Sequence, residues 1–184
     1  GTFLPGDPND IAGGANKVTG TLLAMAFVVA LTTPLQAMGE EYVFRGYLLQ
    51  AVGSMFKRWT SVASAASLLA TALLFAAFHG TQNFPLFFDR FAFGVLAAYL
   101  VVKVGGLEGG IALHVVNNFF AYGFALLFGD ISSSLNTTET SWWNVPVTVV
   151  QSVFYLVAVL SVARRMGLRG ETAPAPAPIG DARA

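Results

Sequence analysis

The chain has 184 residues and no cysteine; 55% of its residues are hydrophobic and only 11% charged, and 10 basic and 10 acidic side chains give a formal net charge of zero. A soluble domain carries about a quarter charged residues, so the composition excludes one, together with a disulfide framework, thiolate zinc sites, Cys nucleophiles and the basic footprint of a nucleic-acid binder. With a mean hydropathy of +0.63, what remains is an all-α, polytopic transmembrane helical bundle forming one domain.

Residues 1–17, rich in Gly, Pro, Asn and Asp, read as an irregular N-terminal lead-in. The start at Gly1, with no secretory signal pattern before the first apolar stretch, reads as a piece lacking upstream sequence. Residues 18–38 carry no charge and are long enough to cross roughly 30 Å of hydrocarbon. Pro34 is expected to kink or end that helix. Residues 39–56 predict a second, mostly apolar helix containing three charges, closed by Lys57 and Arg58.

A third apolar run covers 61–79, with small residues spaced for close helix approach. Residues 80–90 read as a connector holding Pro85, and 91–104 as a short fourth segment closed by the glycine-rich loop 105–110. The fifth helix is expected over 111–128. A polar loop, 129–144, follows and ends in the interfacial pair Trp142 and Trp143. The sixth span covers 145–163 and stops at Arg164 and Arg165. Thus a membrane domain over 18–166 is followed by a Pro/Ala-rich tail, 167–184, that cannot form a core. Six spans put Lys17, Lys57, Arg58, Lys103, Arg164, Arg165 and Arg169 on one side, with Arg90 alone opposite. The positive-inside tendency makes that side cytoplasmic, with both termini inside a multi-pass, prokaryotic plasma-membrane protein.

The polar residues within apolar helices carry the information. Glu40, Glu41 and Arg45 would together cost on the order of 8–10 kcal/mol if all stayed charged and unpaired near mid-bilayer. Glu41 and Arg45 are four apart and can pair directly, while Glu40 lies about 140° around the helix from Arg45. That division leaves Glu40 as the carboxylate available for general-base work. A structural alternative is a buried Glu–Arg brace with Glu40 capping a helix start.

Both histidines of the chain, His79 and His114, also sit in apolar helices, and Asn118 lies one turn beyond His114 with Asn117 on the flank of that face. A carboxylate and an imidazole can deprotonate water while a second His or an Asn amide stabilises an oxyanion, which is a peptidase constellation. The same two imidazoles and a carboxylate, His79, His114 and Glu40, could instead hold a divalent metal such as zinc with an open fourth position. No HExxH, GxSG or GxGD pattern points to another intramembrane protease design.

These segments together resemble the CPBP family of intramembrane proteases, which includes the CAAX-prenyl endopeptidases and the bacteriocin-processing, Abi-type proteins. Its motif EExxxR is matched by Glu40, Glu41 and Arg45, FxxxH by Phe75 and His79, and HxxxN by His114 and Asn118. The resemblance covers roughly residues 35–125. It implies proteolysis of membrane-associated, prenylated or leader-bearing substrates. Glu40 would activate water with help from His79, His114 and Asn118 would stabilise the oxyanion, and Glu41, Arg45, Asn117 and Phe75 would support them. The family is often labelled metalloprotease; a metal-free glutamate mechanism reads from the same residues and is preferred here, because no ligand spacing supports zinc.

Two features depart from the family: members commonly have further spans upstream, and Glu108 stands where an aromatic is common. The six-span reading also sets His79 and His114 at different depths. A shared site then requires a tilted, broken or re-entrant helix, expected at the glycine pairs 105–106 and 109–110. A non-enzymatic scaffold or immunity protein, or a small transporter with a proton relay, would keep the fold for other reasons.

Overall fold

The computed structural model describes residues 15–55 and 60–168, and all regular structure among them is helical. In chain order the elements are α1 (Gly20–Glu41), a π-helical stretch (Tyr42–Leu48), α2 (Leu49–Ser54), α3 (Thr60–Ala77), α4 (Phe84–Val104), α5 (Glu108–Phe128), a short α6 (Ile131–Leu135) and α7 (Asn144–Arg165). Among the described residues, four helices are long and apolar enough to cross a membrane: Gly20–Ser54, Phe84–Val104, Glu108–Phe128 and Asn144–Arg165; Ala65–Ala77 is a shorter apolar helix. Lys57, Arg58, most of the lead-in and nearly all of the tail lie outside the described residues.

The segments expected as two spans over 18–38 and 39–56 form one continuous helix, Gly20–Ser54, of 35 residues. Pro34 does not end it. A proline removes one main-chain hydrogen bond, and here both flanking stretches are fixed by the same buried stripe, Val29, Thr33, Ala37 and Glu41, repeating every fourth residue. Pro34 lies outside that stripe. Beyond Glu41 the helix widens into the π-helical stretch, a feature frequent at functional sites, before closing as α2.

One helix in place of two changes the arrangement of ends. Asn16 donates through its side-chain amide to the carbonyls of Leu126 and Gly129, both at 2.9 Å, so α1 starts beside the end of α5. At the other end a cluster of Leu49, Ala98 and Val101 with Leu107 and Leu68 joins α2, α4 and the α5 entry. Lys17 therefore sits at the end opposite Lys103, Arg164 and Arg165, which corrects the expectation that these four cations share one side; Lys57, Arg58, Arg169 and both chain ends lie outside the described residues.

α4 begins at Phe84 and not at 91, because Asn83 caps it and accepts from the Leu86 N–H at 3.1 Å, with Pro85 in the first turn. It ends at Gly105, whose φ of 82° is the left-handed stop that a side chain disfavours. α5 begins at Glu108, so Gly109 and Gly110 are helical and only 105–107 form the turn. The polar stretch 129–144 also holds α6, capped by Asp130. The main core cluster, Phe44, Phe75, Phe93, Ala97, Leu100, Leu113 and Leu156, draws on the π-helical stretch, α3, α4, α5 and α7, and it surrounds the polar residues described next.

Candidate active site

The α1 stripe ends on Glu41, which is 0% exposed, and one turn later Arg45 is 1% exposed. Their ion pair, Arg45 Nη1 to Glu41 Oε1, is 2.8 Å long, as the four-residue spacing predicts. Arg45 Nη2 reaches the Gly94 carbonyl of α4 at 3.4 Å, and the guanidinium lies over the Phe75 ring, 4.4 Å from its centroid. Three elements thus share the burial of one cation.

Glu41 Oε1 also bonds His114 Nδ1 at 2.9 Å. The carboxylate can only accept, so Nδ1 carries the proton and the imidazole is fixed in one orientation. Its Nε2 then faces Glu40 Oε2, 3.7 Å away. The close approach of α5 depends on Gly110: a Cβ there would lie 3.2 Å from Glu41 Oε2 and 3.0 Å from Val101 Cγ2.

Glu40 differs from its neighbour. Its side chain is 24% exposed where that of Glu41 is 0%. Gln36, one turn back on α1, donates to Glu40 Oε1 at 3.0 Å, while Oε2 is buried without a hydrogen-bond partner among the described residues. His79 donates from Nδ1 to the Phe75 carbonyl at 2.7 Å, leaving Nε2 as the nitrogen for other work. The Phe75 ring stands edge-on to both His79 and His114, at centroid distances of 4.7 and 5.8 Å, and Phe93 stands edge-on to His114 at 5.2 Å.

The two histidines therefore come together without a break at the glycine pairs. α3 has 18 residues, and at about 27 Å it is shorter than the roughly 30 Å hydrocarbon core. Phe75 lies in its last turn, His79 stands exposed two residues past its end, and the Phe75 ring links His79 to His114. Asn118 and Asn117 are half-buried on α5; Asn117 donates to Asn118 Oδ1 at 3.5 Å, and Gln151 of α7 donates to Asn117 Oδ1 at 3.4 Å. Neither asparagine hydrogen-bonds to Glu40, Glu41 or a histidine among the described residues. Glu108 is exposed in the first turn of α5, where its charge suits the helix dipole.

Among the described residues, no three of His, Asp and Glu stand together so as to hold a metal ion. Glu41 Oε1 is already shared by Arg45 and His114. The trio Glu40, His79 and His114 does not fit a metal.

Gln36, Phe93, Gly94 and Gln151 gave no signal in the sequence, and Gly110 stood out only as part of an expected helix break. Each acts through a neighbour from another helix or an adjacent turn, and a single apolar or glycine position does not reveal such a partner.

Residues 19–120 match the family model described as type II CAAX prenyl endopeptidase Rce1-like, a span containing every candidate residue named above except Gln151. The chain is also similar to a Bacillus subtilis (strain 168) protein named uncharacterized protein YyaK, with 28% identity over 142 residues, 73% of this chain and 46% of that protein. The chain thus spans about half the length of the curated relative it matches. No solved structure matches it.

Proposed function

This chain belongs to the type II CAAX prenyl endopeptidase Rce1-like family, and from that premise we propose that it is an intramembrane endopeptidase using Glu40 to activate water. The observation that carries this reading is the contrast between adjacent glutamates. Both leave Oε2 without a hydrogen-bond partner among the described residues, but Glu41 is wholly buried with Oε1 committed to Arg45 and His114, whereas Glu40 is 24% exposed and its Oε1 accepts only from the neutral Gln36. A partly exposed carboxylate with an uncommitted oxygen is what a general base requires.

In this mechanism Glu40 takes a proton from water, assisted by Nε2 of His79, and the water oxygen attacks the scissile carbonyl carbon. His114 Nε2–H, in the protonated ring, and the Asn118 amide stabilise the oxyanion that forms. Glu40 then returns its proton to the leaving amine as the C–N bond breaks. Glu41 and Arg45 hold His114 in register. The substrates are peptides presented at the membrane, prenylated or leader-bearing. Lys103, Arg164 and Arg165 at one end of the bundle support a cytoplasmic placement of the C-terminal tail in the cell membrane.

The test compares new peptide N-termini in membranes holding wild type or Glu40→Gln at matched levels. Termini present only with the wild type are expected. Equal profiles under several growth conditions would sink the enzyme reading and favour a scaffold that keeps the fold as a brace.

A further inference from the structure

Gln36 stands one turn before Glu40 on α1, outside the buried stripe that ends at Glu41, and it has no part in the mechanism above. It is exposed, as are Met25, Val28 and Leu35 on the same side of the helix. In a helix long and apolar enough to cross a membrane, that side faces hydrocarbon. A primary amide there has no water to bond and must find a partner within the protein. Among the described residues its one hydrogen bond is to Glu40: Nε2 donates to Oε1 at 3.0 Å. A carboxylate only accepts, so the amide presents its NH₂ group.

The bond separates the two oxygens of Glu40. Oε1 is turned out to Gln36, while Oε2 is turned in and buried, 3.7 Å from His114 Nε2. The Glu40 carboxyl hangs on a side chain with several rotatable bonds, and Gln36 is its one hydrogen-bond tether among the described residues. Glu41 needs no such tether, because Arg45 at 2.8 Å and His114 at 2.9 Å both hold it.

On a helix surface in water, a pair with this four-residue spacing only steadies the helix weakly. Beside hydrocarbon no solvent competes, and a bond to an ionised acceptor is among the stronger ones. A general base must also present one lone pair to the water it deprotonates. A carboxylate whose outer oxygen is pinned presents its inner oxygen in every turnover, and a loose one does so only part of the time.

We propose that Gln36 is a positioning residue: its amide holds Oε1 of Glu40 outward, so that Oε2 is the oxygen that takes the proton from water. The proposal rests on the endopeptidase reading and adds to it which oxygen acts and what aims it.

The experiment uses the full chain in lipid discs, with a prenylated and a leader-bearing peptide as substrates. Gln36→Met keeps the length of the side chain and suits an apolar surface, but it cannot donate. Its kcat is expected to fall about 10–100-fold with KM within about twofold of wild type. Gln36→His, which keeps a ring N–H at similar reach, recovers part of that loss, which an unfolded variant could not do. Gln36→Glu, of equal length but without a proton to donate when ionised, falls at least as far as Gln36→Met. Thr32→Val, one turn back on the same face, leaves kcat unchanged, because Thr32 donates only to the Val28 carbonyl. A merely structural role would rank the variants by their fit to hydrocarbon and place Gln36→Met first. A wild-type kcat in Gln36→Met, or a loss there that Gln36→His does not recover, overturns the proposal.

A measurement that needs no turnover separates this failure from failure of the endopeptidase reading. Dicyclohexylcarbodiimide, an apolar reagent, adds to a carboxyl group that has taken up a proton, and mass spectrometry reads the rate at Glu40. Without the Gln36 amide to favour the ionised form, labelling is expected to be several-fold faster in Gln36→Met than in the wild type, and unchanged in Thr32→Val. If neither peptide is cut, the endopeptidase reading fails. Faster labelling in Gln36→Met still supports the tether; equal labelling rejects it.

Discussion

Around Glu41 the bonds run from side chain to side chain between helices, with Arg45 and His114 closing on one carboxylate oxygen in a setting almost free of solvent. At the far end of α5 the bonds run from side chain to backbone: Asn16 holds the carbonyls of Leu126 and Gly129, Asn83 accepts from the Thr140 N–H and donates to its carbonyl, and Asp130 caps α6. Within the apolar bundle no water replaces a lost partner, so charges must be matched to one another and removal of one strands the rest. At the bundle end water competes for every bond, and the same polar groups act as modest fasteners of loops.

Substituting the two glutamates tests that contrast most severely. Glu41→Gln leaves Arg45 buried without its counter-charge, a loss of about 3–5 kcal/mol, and it is expected to lower accumulation and the unfolding midpoint in detergent. Glu40→Gln should leave both close to wild type while turnover falls by about 10²–10⁴-fold. Equal loss of protein in the two variants would show that the adjacent carboxylates do not divide the work.

Two glycines of α5 sharpen the comparison with a smaller effect. A Cβ at Gly110 meets Glu41 Oε2 and Val101 Cγ2, at 3.2 and 3.0 Å, whereas one at Gly123 meets nothing within 4 Å. Gly110→Ala is expected to destabilise by about 1–3 kcal/mol through overpacking and to reduce activity by displacing His114. Gly123→Ala should be neutral or stabilise by up to about 1 kcal/mol through helix propensity. Thermal unfolding of both variants in one detergent decides; a Gly110→Ala midpoint at or above wild type would mean that α5 is not wedged against Glu41.

The contrast also explains what could be read in advance. The Glu41–Arg45 pair was legible because helical geometry alone sets a four-residue spacing, and the remaining site residues because ionisable groups in apolar runs attract attention. Their assembly was not legible. That His114 hangs from Glu41, and that Phe75 touches Arg45 and both histidines, are contacts between helices, which periodicity does not encode. The fused first helix was hidden by Pro34 and Gly39, local breakers overruled by the buried stripe on α1. The early start of α4 was hidden behind Pro85, a residue that suits a connector and a first helical turn equally well.

The smallest effect belongs to the bundle end and has a definite sign with pH. Asp130 accepts from the Ser133 hydroxyl at 2.7 Å and from the N–H groups of Ser133 and Ser132 at 3.0 and 3.1 Å. These bonds, the Ser133 hydroxyl first and then the two N–H groups, hold its carboxyl below the usual carboxylate range. The folded state thus binds the proton less readily than the unfolded one. The stabilisation is fully present above the unfolded value, about 3.9, and is lost as pH falls through the lower folded value. Amide-exchange protection at Ser132 and Ser133 is therefore expected to be flat near neutrality and to decline in acid. Asp130→Asn, which still caps, should remove the decline, and Asp130→Ala should remove the protection at every pH. Activity should be the same in all three, because this cap touches none of the groups around Glu40. A fall in turnover with Asp130→Ala would instead couple the two ends of α5 and break the separation between them.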